Sequence, residues 1–515
     1  MKVFKNISRT ALLSGLLAVS ISCTEDFDKI NIDTKSAEEV EPKFLLATAQ
    51  VRLMNHYSNH SVNSNVTFVQ AQHFSQTDFS DESNFSFRDG LLDSYISNYY
   101  RGVFQLAEIN KYLASRSEAE VSKEEKSVWE LITSTLRAFG IQQVTDANGP
   151  AILSEAFDIN NQTPAYDSQE SIYKALMEDL YQAASNVSTS TSLDLGGQGA
   201  QDVIYNGDVL KWQKFANSIL LRLAMRVSDV APDLSKDYFN KAVNENGGVF
   251  TSNADNALLT YIGTPNGSQL YENILTGWKI PVAPSNTIFD LQQANQDPRI
   301  NIYWSSQPWG STGGIVYGET GSWWNFSHIN AAYAGYKTIE ASSYWAKNHY
   351  TGKQDAPGVF IDYAEVEFFL AEAAVRGGYA VSGSAKEHYD KAVEASIRFQ
   401  AGIVGWAAAD IDNAVSTYLA LPSTNLDNAT NKLAKIGEEK WVALFMQSPE
   451  AWAEARRLDS PTFNVPAGKT AADIPTRLIF SGREKIINGA NVEKAKAMLK
   501  GGADTYTTKL WWDVN

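Results

Sequence analysis

From residue 43 onward, apolar positions recur mostly at steps of three and four, the period of a helix with one buried face. Leu210 to Asp229 puts Trp212, Phe215, Ile219, Leu223 and Val227 on one stripe. Tyr363, Val366, Leu370 and Ala373 make a second stripe that runs into Gly377-Gly378, a helix stop. Ser384 and Glu387 then read S-x-x-E, a capping box, ahead of Tyr389, Ala392 and Val393. Helix, glycine turn and helix within about 35 residues is the size of a tetratricopeptide unit. The stretch from Glu170 (ESIYKALMEDLYQAAS) reads as another such helix. Further helices are expected at 43–57, 92–113, 123–142, 429–447 and 490–500. The pattern predicts a mainly α fold, a scaffold of tetratricopeptide-like hairpins, with Trp129, Trp212, Trp441 and Trp452 in its core.

That period fades from about 247 to 358, where Gly, Pro, Ser, Asn and aromatic residues take over. Six of the thirteen tryptophans fall there: Trp278, Trp304, Trp309, Trp323, Trp324 and Trp345, with Tyr303, Tyr317 and Tyr344 among them. An earlier loop, Gln76 to Arg88, carries Phe79, Phe85 and Phe87 beside Asp78, Asp81 and Asn84. Rings on loops offer flat apolar faces for sugar C–H groups or peptide side chains, and adjacent carboxylates and amides take hydroxyl hydrogen bonds. Some of these rings are expected to close the loop region over the scaffold and two or three to face ligand. The chosen set is Trp309, Trp323, Trp324 and Phe85 as stacking platform, Asp81 and Asn84 as hydrogen-bonding groups, and Tyr344 as a further contact.

Composition changes the picture at the N-terminus. Lys2, Lys5 and Arg9 precede the apolar run Ala11 to Ile21, a secretory leader too short to span a bilayer. The single cysteine of the chain, Cys23, follows it, and a lone exported thiol cannot form an internal disulfide. Residues 1–22 therefore read as a signal peptide, Cys23 as a lipidation site, 23–42 as a tether and 43–515 as the helical domain with its loop-rich insertion. Ser20 stands where such a site usually has leucine. Losing the leader's three positive charges takes the formal charge from −16 to −19, which argues against nucleic acid or anionic headgroups as partners.

Catalytic patterns are sparse. His56 and His60 have the i, i+4 spacing of helical metal ligands, but no glutamate follows the first and no third ligand is suggested; they read as a surface helix end. A carboxylate pair such as Asp81 with Asp297 is available for glycoside hydrolysis, yet spacing along the chain does not give its separation. The chain holds no G-x-S-x-G elbow, phosphate-binding glycine loop or EF-hand pattern. No metal, cofactor or catalytic set is expected.

Eight segments in order resemble the SusD/RagB family of outer-membrane lipoproteins, in its SusD-like subgroup. They are DFDKINIDT from Asp26, HFSQTDFSDESNF from His73, WQKFANSILLRLAMR from Trp212, and Asp297-Pro298-Arg299. YAEVEFFLAEAAVRGG, EKWVALFMQSPEAWAEARRLDSP with Arg456 and Arg457, IPTRLIFSGREKIINGAN with Arg477, Glu484 and Asn488, and the closing Leu510-Trp511-Trp512-Asp513 follow. Ser481 replaces a usual proline, and Leu458-Asp459-Ser460 a usual threonine–glycine–aromatic. The resemblance implies a surface lipoprotein that captures an oligosaccharide, or a peptide, and passes it to a SusC-type TonB-dependent transporter without breaking a bond. It also implies that helical repeat faces, rather than aromatic loops, meet the transporter. Two rivals are a surface glycosidase on a helical toroid and a scaffolding or adhesive lipoprotein.

Overall fold

Helix starts are written in short polar side chains. Ser122, Ser168, Asp208, Asp362 and Asn431 each accept a backbone N–H three residues on, and Ser384 with Glu387 closes the full capping box. Each such cap is worth about 1 kcal/mol. In a computed structural model that describes residues 40–59, 65–195, 201–261, 267–269, 282–305, 313–321, 328–329 and 356–515, they begin long helices. Those of nine residues or more are α1 Pro42–Tyr57, α2 Asp89–Ala114, α3 Lys123–Asn148, α4 Gln169–Asn186, α5 Val209–Arg226, α6 Pro232–Asn244, α7 Asn286–Ala294, α8 Tyr363–Arg376, α9 Ala385–Val404, α10 Ala408–Leu419, α11 Lys432–Ala443, α12 Ser448–Leu458 and α13 Gly489–Ala497. Cys23, Trp309, Trp323, Trp324 and Tyr344 lie outside the described residues, as do His60, Trp278 and Trp345.

Successive helices from α1 to α6 pack on their neighbours, and α8 with α9 and α11 with α12 continue the pattern. Glycine sets the closest of these approaches. A Cβ on Gly102 of α2 would stand 2.7 Å from the Leu53 side chain of α1, and one on Gly140 of α3 would stand 2.7 Å from Val103. The result is the expected mainly α fold of tetratricopeptide-like hairpins. Trp129, Trp212, Trp441 and Trp452 are all buried in its core.

The two helical groups meet through charge. Arg222 of α5 grips Glu365 of α8 with two hydrogen bonds of 2.7 Å. Arg226, one turn on, reaches Glu450 and Glu454 of α12. Glu454 also accepts Lys440 of α11 at 2.7 Å, and Arg457 bridges Glu454 to Glu372 of α8 at 2.6–2.8 Å. These side chains are essentially inaccessible to water. Burial opposes the charge on Glu454, yet Arg457, Lys440 and Arg226 together hold its carboxyl well below the usual range. Burial dominates at Glu365, pushing it up to about 7 against the pull of Arg222.

The structure corrects several expectations. His56 is no surface helix end; it is 5% exposed, with Nε2 2.7 Å from the Tyr95 carbonyl and its ring against Tyr99. Asp297 is buried in an ion pair with Arg299, which also binds Glu439, so it offers no free carboxylate to Asp81. The helix expected at 429–447 is shorter: α11 runs Lys432–Ala443, Met446 takes a left-handed φ of 66°, and a separate helix, α12, starts at Ser448 with Pro449 in its first turn. Some loop aromatics are buried, as expected: Tyr303, Trp304 and Tyr317 are core residues, Tyr303 stacking on Phe445 at 4.0 Å. The paired arginines also have structural work. Arg457 joins the ion network, whereas Arg456 donates to the carbonyls of Thr476 and Asp146 and lies over Trp452.

Two measurements check this account. Replacing Arg457 by methionine leaves two buried carboxylates short of a partner and is expected to destabilise the protein by about 3–5 kcal/mol in urea unfolding. Burial also pushes His73 down to about 3 and His56 to about 4. Both folded values lie below the ordinary 6.5, so the unfolded chain takes up protons first as pH falls. This contribution is full above pH 6.5 and is lost by about 1.4 kcal/mol per pH unit for each histidine towards pH 4. His73→Gln should flatten the pH 7 to pH 5 fall in the urea midpoint; an unchanged slope refutes the assignment.

Candidate functional site

The early aromatic loop hangs from a short strand. β1 (Phe74–Gln76) pairs antiparallel with β2 (Val282–Pro284), Phe74 opposite Pro284 and Gln76 opposite Val282. The junction is sewn to the late part of the chain by Gln72. Its side-chain amide donates to the Asn464 carbonyl at 2.8 Å, and its Oε1 accepts the Asn464 N–H at 2.9 Å and the Thr287 hydroxyl at 2.7 Å. Segments far apart in sequence thus share one floor, built at about residues 72–88, 282–287, 315–321 and 463–466.

Above this floor the loop is fixed from inside. The buried Glu82 carboxylate accepts Gln76 Nε2 at 2.8 Å and Arg88 Nε at 2.5 Å. Ser83 donates its backbone N–H to Gln76 Oε1 at 3.1 Å, and Gly321 donates to the Thr77 carbonyl at 3.1 Å. Asn84 Nδ2 donates to the carbonyls of Ser80 and Gly318, both at 2.8 Å. Gly318, with φ of 84°, lies so close that a Cβ there would stand 2.6 Å from Pro466. Backbone atoms approach here in a way that only glycine permits.

The candidate residues separate on this frame. Asp81 is exposed at the start of the 3₁₀ turn Glu82–Asn84, and its backbone carbonyl accepts the N–H groups of Asn84 and Ser86. Asn84 is half-buried and committed to holding the loop, which leaves little of it for a ligand. Phe85 is half-buried too, its ring 6.2 Å from the buried Tyr317. Phe87 stacks on Tyr506 at 4.7 Å. Phe79 differs from all of them. It is 80% exposed; like Phe85, with φ of 64°, it sits on a left-handed backbone, with φ of 51°. A large ring in that conformation stores strain of order 1–3 kcal/mol, which the loop's internal bonds sustain. Sequence reading placed Phe79 in this loop but preferred Phe85. A phenylalanine flanked by Asp78 and Ser80, with no helical period to bury it, was the available signal.

The described residues contain no cluster of three or more metal-ligating side chains and no helix long and apolar enough to cross a membrane. What the loop can do chemically is stack an apolar ring face on Phe79 and accept hydroxyl protons at Asp81.

Comparison with known proteins bears on that chemistry. A chain described as a chitin-binding protein is 26% identical, with a TM-score of 0.75 over 92% of this chain and all of that one. A SusD homologue from Bacteroides vulgatus is 25% identical, with a TM-score of 0.71 over 88% of this chain and 92% of that one. A SusD homologue from Parabacteroides distasonis shares the fold, with a TM-score of 0.76 over 92% of this chain and 98% of that one at 21% identity. No curated protein matches the chain. Residues 34–481 match the SusD-like_2 family, described as starch-binding and associating with the outer membrane, and the chain belongs to that family.

Proposed function

We propose that the protein is a cell-surface lipoprotein, anchored through Cys23, that captures an oligosaccharide and delivers it to a SusC-type TonB-dependent transporter in the outer membrane. One observation carries the reading: an aromatic ring held open to solvent on a strained, internally bonded loop, next to an exposed carboxylate. A rigid ring binds at low entropic cost, because its two side-chain torsions are all that must be fixed. The relative described as chitin-binding supports a glycan in preference to a peptide.

Capture proceeds by additive weak contacts. Each sugar ring stacked on an aromatic face contributes modestly, and a chain of sugars engages several faces at once, so affinity rises with length. Trp309, Trp323, Trp324 and Tyr344 are the proposed companions of Phe79, with Phe85 supporting the loop from beneath. Asp81 orients the chain by accepting hydroxyl protons. No group breaks a glycosidic bond; the ligand leaves unchanged, inward through the transporter. The helical hairpins are the proposed transporter-facing surface.

The test is calorimetric titration of the soluble chain beginning after Cys23 with chitin and malto-oligosaccharides of increasing length, alongside peptides. Saturable binding that strengthens with chain length and yields no cleavage product is expected. Phe79→Ala should weaken binding about tenfold with a melting temperature unchanged, since the ring is 80% exposed and buries little. Phe85→Ala should instead cost about 1 kcal/mol of stability through its lost contact with Tyr317. Binding that survives Phe79→Ala, Trp323→Ala and Trp324→Ala together, or a reducing sugar released during titration, sinks the proposal.

A further inference from the structure

A second aromatic ledge stands elsewhere on the surface. Tyr100, Arg101, Phe104 and Gln105 of α2, Arg52 of α1 and Phe157 of the loop before α4 line a shallow cavity of about 340 Å³. Phe104 and Phe157 are 41% and 38% exposed, with ring centroids 5.8 Å apart. Tyr100 meets Phe157 edge-on at 6.2 Å. Phe104 lies fifteen residues past Asp89, the start of α2, which at 1.5 Å per residue is roughly 22 Å along the helix from the end of the early aromatic loop.

Phe157 is in a left-handed conformation, φ 69°, which a bulky residue adopts only where surrounding structure enforces it. The enforcement is visible. Asp167 accepts the backbone N–H groups of Leu153 and Ser154 at 2.9 and 2.8 Å. Glu155 accepts Asn161 Nδ2 and the Ala165 N–H, both at 2.8 Å. The Tyr100 hydroxyl accepts the Ile152 N–H at 2.8 Å and donates to the Ile152 carbonyl at 2.9 Å. All this order ends in a ring turned partly to water, so packing alone does not account for it.

Charge supplies the second argument. Arg52 and Arg101 on the ledge are exposed, and neither pairs with a carboxylate among the described residues; Arg101 donates to the Asn98 side-chain oxygen at 3.1 Å. Two exposed guanidinium groups thus stand beside open aromatic faces, while the carboxylates of the Phe157 loop, Glu155 and Asp158, accept hydrogen bonds from that loop itself. We propose that this ledge is a second saccharide site, selective for a sugar ring that carries a carboxylate or sulfate. The ring's C–H face lies on Phe104 and Phe157, its anionic group takes paired N–H donors from Arg52 or Arg101, and Gln105 meets a hydroxyl. The assignment stands apart from the reading of the early loop, and different variants test the two.

The soluble chain is titrated with trigalacturonate, a sulfated galactotriose and neutral galactotriose. At least one anionic trimer is expected to bind ten times more tightly than the neutral one, and more weakly as salt rises. Phe157→Gly should lower that affinity at least tenfold, with relief of the strain at φ 69° offsetting part of the stability lost with the ring's contacts to Tyr100 and Phe104. Arg52→Gln combined with Arg101→Gln should erase the preference for the anionic trimer, whereas Phe79→Ala should leave it intact. The proposal is overturned by equal affinity for all three trimers or by no binding of any. It is equally overturned by anionic binding that survives the Phe157 and arginine variants, or by loss of that binding in Phe79→Ala.

Discussion

The fold turns on a few charges kept out of water. Arg222, Arg226, Lys440 and Arg457 face Glu365, Glu372, Glu450 and Glu454 across the junction of α5, α8, α11 and α12. Each ion loses several kcal/mol of hydration on burial, so a single pair is at best marginal. A network changes that balance, because Glu454 is shared by three cations and Arg457 by two carboxylates. Arg226, Arg457, Glu372, Glu450 and Glu454 then each have more than one charged partner. Apolar stripes can slide by a turn at modest cost, but a bidentate arginine cannot. The network therefore fixes the register in which the early hairpins meet the late ones.

That register reaches the early aromatic loop through a short chain of contacts. α11 places Trp441 so that its carbonyl meets His73 at 2.9 Å and its indole N–H donates to the Ala71 carbonyl at 2.8 Å. Those residues lead directly into Gln72 and β1, which set the aromatic loop. Past α12, the segment through Phe463 and Asn464 closes the same floor. The loop is thus held from both sides of the charge network, although neither side contributes an exposed ring. A frame of this kind gives the loop a precisely determined placement.

Periodicity made most of the long helices legible, because an apolar stripe and a polar cap are local signals; Ser384 with Glu387 reads the same in sequence and in structure. It failed where the signal was short or two-sided. α7 is nine residues inside a region of loop composition, and α12 is buried on nearly all sides, so its charged stripe meets the ion network where a polar stripe would ordinarily meet water. His56 was misplaced for a related reason: its polarity hides a ring packed on Tyr99. Among the ring-bearing loops, local sequence could not separate Trp304, whose indole donates to Gln292 in the core, from Phe79, which reaches solvent. That difference depends on which distant segments cover each loop.

Left-handed backbone is the signal that composition cannot carry. Phe79, Phe85 and Phe157 all have positive φ, an arrangement that L-residues avoid and large rings avoid most. In each case side-chain hydrogen bonds within the loop sustain the strain: Glu82 and Asn84 for the first two, Glu155 and Asp167 for the third. A loop selected for stability alone would place glycine or asparagine at such positions. Keeping phenylalanine there fixes where the ring points before any ligand arrives, which removes the ordering cost from binding. Polar side chains inside the loop and an apolar ring outside it reverse the usual arrangement of a protein surface, and both ring-bearing loops, on different parts of the helical frame, are built that way.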